Sequence, residues 1–373
     1  MPVSPADGQD LARAVGVIYQ DAEAALLDLL QRALAEGIES PNWARLKLAS
    51  IGNLRSAVED MTRALQTDAD GAIGRAIHTA YARGGQAAVA ELGALPEGLR
   101  HAAQLALPNA ASADRLAAET IASTRPIYQR ILRAVPDAYR SIVQRVSGSV
   151  LLGGLTRRQT AQRALDQFAA AGISGFVDSA GRSWDMASYA EMAVRSATGR
   201  AAVQGHVDRL EAIGQQYVIV SDSPLDCPLC EPWDGEILSI NGESGPHTVV
   251  MQHTTVDARM EVVHVAGSLP EARAAGLFHC NCRHSLSLYL PGVTTRPTSP
   301  PHPGGATYED TQQQRYLERQ VRQWRRRAAV ALDDGARTKA NARIRDYQGR
   351  LRELTAAKDL PRRPAREQIS GAR

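Results

Sequence analysis

Aromatic residues make up only 5% of this 373-residue chain, and cysteine occurs just four times. Neither sign of charge dominates: 43 basic residues stand against 40 acidic ones, for a net charge of +3. Overall charge therefore singles out no polyanionic partner. No run reaches the roughly 18 apolar residues of a membrane span. The opening Met1-Pro2-Val3-Ser4-Pro5-Ala6-Asp7 lacks the basic stretch and apolar run of a secretory leader. These absences predict a protein with no membrane contact, made and kept in a reducing cytoplasm. There, clustered cysteines are suited to metal rather than to disulfides.

Alanine, leucine and arginine are abundant, and all three enter helices at little cost. The length suffices for two or three units. Up to about residue 171 the pattern is helical. Val15, Ile18, Ala22, Ala25, Leu26, Leu29, Leu30 and Ala33 recur at helical spacing. Gly37 offers a stop, and Ser40-Pro41 offers a new start, with serine as cap and proline at the first position. A second stripe follows in Leu46, Leu48, Ile51, Leu54, Val58, Met61 and Leu65, and a third in Ile121, Ile127, Ile131, Leu132 and Val135. Thr156 is placed to cap a helix carrying Ala161, Ala164, Leu165 and Phe168. Core packing between helices explains all these stripes.

The texture changes near Gly172. Residues 176–184 read as two short strands around a turn, followed by a helix from about Met186 to Ile213. Strands are then expected at 217–220, 236–240, 261–265 and 285–290. Pro291 to Ala306 is a linker by composition. Beyond it lies a basic helix in which Arg315, Arg319, Arg322, Arg325, Arg326 and Arg327 crowd together, then a second helix from about Ala336 to Leu354. Residues 358–373 read as a loose basic tail. The predicted class is α+β, mostly α. It comprises a helical region (1–171), a small α+β domain stabilised by zinc (172–290), a linker (291–306) and a basic helical tail (307–373).

Every cysteine falls in two short segments, Asp226-Cys227-Pro228-Leu229-Cys230 and His279-Cys280-Asn281-Cys282-Arg283-His284. A C-x2-C turn can aim both thiolates at one point, and structural zinc takes four sulfur or nitrogen donors. Cys227 and Cys230 form one ligand pair. His279 and Cys282, which share their spacing, are the expected second pair, with Cys280 and His284 as alternates. Such a closed site contributes on the order of 10 kcal/mol to folding. A catalytic zinc would instead need an open position and a nearby acid or base, for which Asp226, Glu231, Asp234 and His247 are the candidates. No H-E-x-x-H occurs. A zinc deaminase needs P-C-x-x-C and an upstream H-x-E, whereas here proline follows the first cysteine and His206-Val207-Asp208 ends in aspartate. No catalytic residue is assigned.

Several further segments follow one another along the chain: Gly181-Arg182-Ser183-Trp184, the run Tyr189 to Ser196, the run Gly205 to Leu210, and Val218-Ile219-Val220-Ser221. The D-C-P-x-C, Trp233-Asp234-Gly235, the segment Gly276 to His284, and Tyr308 to Arg315 continue the set. In this order they resemble the tailed-phage minor capsid proteins. More broadly the chain is similar to the phage head-morphogenesis superfamily that includes the phage Mu minor head protein. The resemblance covers roughly residues 110 to 355. It implies a non-enzymatic virion component, present in few copies near the portal vertex, that binds the portal protein and acts in head assembly in the host cytoplasm. Major capsid protein, scaffolding protein and packaged DNA are further partners it allows. Members of the superfamily often carry His-Pro-x-Cys-Arg in the second segment, where this chain has Cys280 in place of proline. Metal binding is not implied by membership and rests on this chain's own cysteines.

Two other function classes compete. One is a zinc-dependent hydrolase acting in the phage head. The other is a DNA-binding head-interior protein that uses the arginines of 315–327. That run also reads as a solvated or protein-facing helix side, which accounts better for Tyr316 and Trp324.

Overall fold

The computed structural model describes residues 3, 8–92, 110–151, 155–177, 183–223, 225, 227–279, 282, 284–298 and 301–369. The protein is mostly helical with small sheets, as the composition predicts. The helices are α1 (Gln9–Ala35), α2 (Trp43–Ala49), α3 (Ile51–Glu91), α4 (Ala110–Leu151), α5 (Arg157–Ala171), α6 (Met186–Glu211), α7 (Leu269–Ala274), α8 (Tyr308–Ala329) and α9 (Asp334–Ala357). The strands are β1 (Ser174–Val177), β2 (Ser183–Asp185), β3 (Tyr217–Val220), β4 (Ile237–Ser239), β5 (His247–Gln252), β6 (Met260–Val265), β7 (Gly267–Ser268) and β8 (Leu286–Leu288). By contacts the chain forms two compact units, each drawn from three stretches of sequence.

The first unit takes Met1–Arg13, Ala72–Ala122 and Met192–Pro303. Its four-stranded sheet runs β7-β4-β3-β8. The centre strand β3 pairs antiparallel with both neighbours, bringing Val218 opposite Leu238 and Leu288. Val218, Val220, Leu238 and Leu286 have no exposed surface, and Val3 extends the sheet by a bridge to Leu286. β5 and β6 form a separate hairpin in which alternate residues face outward, leaving Val250 opposite Val262 on the exposed face. Helices α3 and α6 cross at glycines. A Cβ on Gly84 would lie 1.8 Å from the carbonyl oxygen of Ala202, and one on Gly205 would lie 2.0 Å from that of Tyr81. Only glycine permits an approach this close. The buried His206 donates to Glu91 Oε2 (3.0 Å), which also accepts the Leu288 amide (2.9 Å) and so ties both helices to β8.

The second unit takes Ala14–Gly71, Ser123–Glu191 and Gly304–Arg373. Thr156 caps α5 in a full capping box with Gln159, as its sequence context predicts. β1 and β2 form the expected antiparallel pair, with the turn between them outside the described residues. Trp43 is buried and donates from its indole to the Leu34 carbonyl (3.0 Å). Arg326 of α8 is buried as well. It donates to the Ala169 carbonyl (2.9 Å) and lies 3.5 Å from Glu23 and 3.7 Å from Asp185. Glu23 in turn accepts the Ile173 amide (3.1 Å).

Several expectations need correction: Asn42, not Ser40, is the N-cap of the helix that opens at Trp43, and Leu132 of the third stripe is 41% exposed. Leu46 and Leu48 belong to the apolar stripe read from sequence, yet they are 54% and 48% exposed. The helix breaks at Ser50, so α2 and α3 do not share a phase, and α2 turns Trp43 and Lys47 inward instead. Residues 358–369 are also not loose. Glu367 is buried and accepts from Arg362 Nε and Nη2 (2.9 and 3.0 Å) and from Gln348 (2.7 Å), and Leu360 is buried as well.

Candidate metal centre

The first cysteine loop joins β3 to β4. The Cys230 amide donates to the Cys227 carbonyl (2.9 Å), closing a tight turn that sets both sulfurs on one side. A single 3₁₀ turn, Glu231–Trp233, follows, and Gly235 at φ +66° reverses the chain into β4. Arg296 packs over this glycine and donates to its carbonyl (2.8 Å).

The second loop runs from α7 to β8. Ser268 and Glu271 cap α7 reciprocally, and the helix stops at Gly276, whose φ is +115°. A Cβ there would press on Leu229 of the first loop at 3.2 Å, so the glycine lets the two loops meet. Leu277 and Phe278 are buried and anchor the turn that follows. In that turn the Cys282 amide donates to the His279 carbonyl (2.8 Å). The two loops thus repeat one device. A carbonyl at the first donor residue accepts the amide of the second, three residues on, for both Cys227/Cys230 and His279/Cys282.

The expected donors fall in two overlapping groups that share Cys230, not in one set of four. Cys227 Sγ lies 3.0 Å from His279 Nε2, and Cys230 Sγ lies 3.6 Å from Cys282 Sγ. A zinc with sulfur at about 2.3 Å and nitrogen at about 2.0 Å, at tetrahedral angles, separates two sulfurs by about 3.8 Å and sulfur from nitrogen by about 3.5 Å. The sulfur–sulfur distance fits this edge, while the Cys227–His279 contact is shorter than its edge. Among the described residues, two groups of three donors can hold a metal ion: Cys227, Cys230 and His279, and Cys230, Cys282 and His284. Cys230 is common to both. Cys227, Cys230 and Cys282 are all buried, with Cys230 only 1% exposed.

His284 is a fifth donor. Its Nδ1 lies 3.3 Å from Cys282 Sγ, and its Nε2 meets Asp234 Oδ1. A carboxylate behind an imidazole fixes the ring's orientation and tautomer. Asp234 is therefore a supporting residue of the cluster, a role its place in Trp233-Asp234-Gly235 does not announce. Glu231 is exposed, and His247 bonds to the Gly245 carbonyl (2.9 Å) at the start of β5; neither joins a donor group. Asp226 and Cys280 lie outside the described residues.

The cluster's electrostatics favour a cation. The hydrogen bond from Cys230 pulls the Cys282 thiol well below its ordinary range, against the opposing effect of burial, and the neighbouring His284 adds to the pull. The same hydrogen bond, with burial, holds the proton on Cys230. A thiolate is the metal-binding form, and metal binding to cysteine releases the thiol proton.

The arginines singled out from sequence divide. Arg326 is buried among Glu23, Asp185 and the α5 carbonyls; Arg322 meets Glu191 (3.8 Å) and Ser188 (3.2 Å); and Arg325 bonds to Gln368. Arg327 stacks on Trp324 at 4.2 Å. Arg319 is exposed and Arg315 half-buried.

The structure thus presents a mostly helical chain with a small sheet and a buried cluster of cysteine and histidine donors. The family model for phage minor capsid protein 2 matches residues 3–356, and the chain belongs to that family. The match includes the first 110 residues, which the sequence resemblance leaves out. A structural protein of Lactococcus phage LL-H is 25% identical over 228 residues, covering 60% of this chain. This chain spans 58% of that relative's length. A structural protein of Lactococcus phage mv4 is 36% identical over 102 residues, covering 26% of this chain and 83% of that protein. No solved structure matches.

Proposed function

We propose that this chain is a structural part of a phage head, assembled at the portal vertex and acting in head morphogenesis. The family match over residues 3–356 is the observation that supports this reading most strongly. In this reading the cysteine–histidine cluster binds one structural Zn²⁺ through Cys227, Cys230, His279 and Cys282, with His284 and Asp234 as outer support. Burial of the three cysteines and the engagement of Asp234 by His284 favour a closed ion over an open, catalytic one. The ion supplies cross-linking rather than chemistry, fastening the β3–β4 loop to the loop before β8. Major capsid and scaffolding proteins are secondary partners.

Co-expression with the portal protein of the same phage tests the assembly role. A stable complex of defined mass and stoichiometry is expected. A monodisperse chain that elutes apart from the portal would overturn it.

A further inference from the structure

The C-terminal stretch Gly304–Arg373 carries 17 of the 43 basic residues and 9 of the 40 acidic ones. It therefore holds a charge of +8, and the rest of the chain holds −5. This imbalance is hidden in the near-neutral total. Its location is also not where the crowded arginines of α8 suggest, because Arg322, Arg325 and Arg326 are engaged inside the second unit.

The uncommitted charge sits on α9. Arg337, Lys339, Arg343, Arg345, Arg350 and Arg352 are all exposed. Among the described residues none of them is in an ion pair, and Lys339 lies in the field of Asp166. Three of the nine acids of this stretch pair with other cations: Asp310 with Lys358, Glu318 with Arg366 and Glu367 with Arg362. On α9 itself only Asp334, Asp346 and Glu353 oppose the six cations. Two of the guanidinium groups are held in place by aromatic rings, Arg343 over Trp324 at 6.0 Å and Arg350 over Tyr347 at 5.4 Å. Stacking of this kind restrains the guanidinium while leaving its N–H edge to solvent, which lowers the entropy lost when it grips an anion.

We infer that the exposed face of α9 binds the phosphate backbone of double-stranded DNA without reading sequence. Residues 337–352 span about 22 Å of helix, and duplex DNA presents about 13 phosphates over that length. Arg343 and Arg350 form one row along the exposed side and Arg345 and Arg352 another, with Asp346 and Glu353 between them; this side carries no array of aromatic or amide side chains for base edges, which suits backbone contact by the arginine rows. This site belongs to the second unit and the metal cluster to the first, and it does not depend on the portal contact.

The test measures binding of the full chain to a random 30-base-pair duplex by fluorescence anisotropy across a salt series. The wild type should bind with an affinity that falls steeply with salt. The variant R343Q/R345Q/R350Q/R352Q should bind at least tenfold more weakly at 0.1 M salt, with its log–log salt slope shallower by about 3 to 4, near one unit for each lost phosphate contact. Its circular dichroism and melting should match the wild type, since the four side chains are exposed. A control variant, R315Q/R319Q on α8, should stay within about threefold of wild type. The inference is overturned if the wild type fails to bind at 0.05 M salt, or if the α8 variant loses binding and the α9 variant does not. It is also overturned if polyglutamate binds as tightly as the duplex, which would assign the face to an acidic protein partner.

Discussion

The cysteine cluster and the Arg326 node do the same job by different chemistry. The cluster joins loops 52 residues apart in the first unit. The node joins segments more than 140 residues apart in the second, reaching from α8 to α5, to Glu23 of α1 and to β2. One uses soft donors suited to a metal ion, and the other uses a buried charge network. Cysteine is rare here, so four of them in two short segments stand out at once. Glutamate and arginine are everywhere, since charged residues make up 22% of the chain, so a buried pair of them gives no signal. The two also differ in energetics. A bound metal adds its binding free energy to folding. A buried ion pair adds little on balance, but is costly to break from one side.

The largest expected effect comes from Cys230→Ser, because Cys230 belongs to both donor groups. This change should abolish metal binding, forfeit on the order of 10 kcal/mol of metal-linked stability, and raise amide exchange across residues 217–290. Next is Arg326→Ala, which strands Glu23 and Asp185 and should cost about 3–5 kcal/mol in the second unit. Denaturant titration read by exchange in α5 and α8 would measure it. The double change Glu23→Gln and Arg326→Met should cost clearly less than Arg326→Ala, and equal losses would show that the pair is not what fastens α8. Gly84→Ala should cost about 1–3 kcal/mol, because the new Cβ meets the Ala202 carbonyl. A neutral result there would mean that the α3–α6 crossing can spread.

The smallest effect is a pH dependence. Burial, opposed by Arg326 and reinforced by Asp185, raises the Glu23 pKa above its ordinary 4.5. The folded protein then holds that proton more tightly than the unfolded chain does. Its contribution is full below about pH 4.5 and is lost as pH rises through the raised value. Melting curves of Glu23→Gln should therefore decline less than wild type from pH 4.5 upward, and an unchanged decline would remove Glu23 from the account.

Much of the site could be read from the sequence. The C-x2-C spacing and the His279/Cys282 spacing become the same turn twice, because a two-residue spacer leaves little freedom. Thr156 and the strands around the loops were readable for similar local reasons. What stayed hidden depended on distant partners. Glu23 sits on the buried face of α1 at a position where a polar residue ordinarily argues against burial. Asp234 supports the cluster only because the end of the 3₁₀ turn in the β3–β4 loop places it against His284. Leu46 and Leu48 lost their place in the core to a one-residue break at Ser50. The last residues read as loose because nothing local shows that Glu367 finds two cationic nitrogens and an amide.

The measurement that tests this account most directly is the metal content of the purified full-length chain, paired with hydrogen exchange before and after chelation. The account predicts one zinc per chain, with chelation loosening residues 217–290 while α5, α8 and the Arg326 node keep their protection. A chain that carries no metal, and whose exchange is the same with and without chelator, would contradict it.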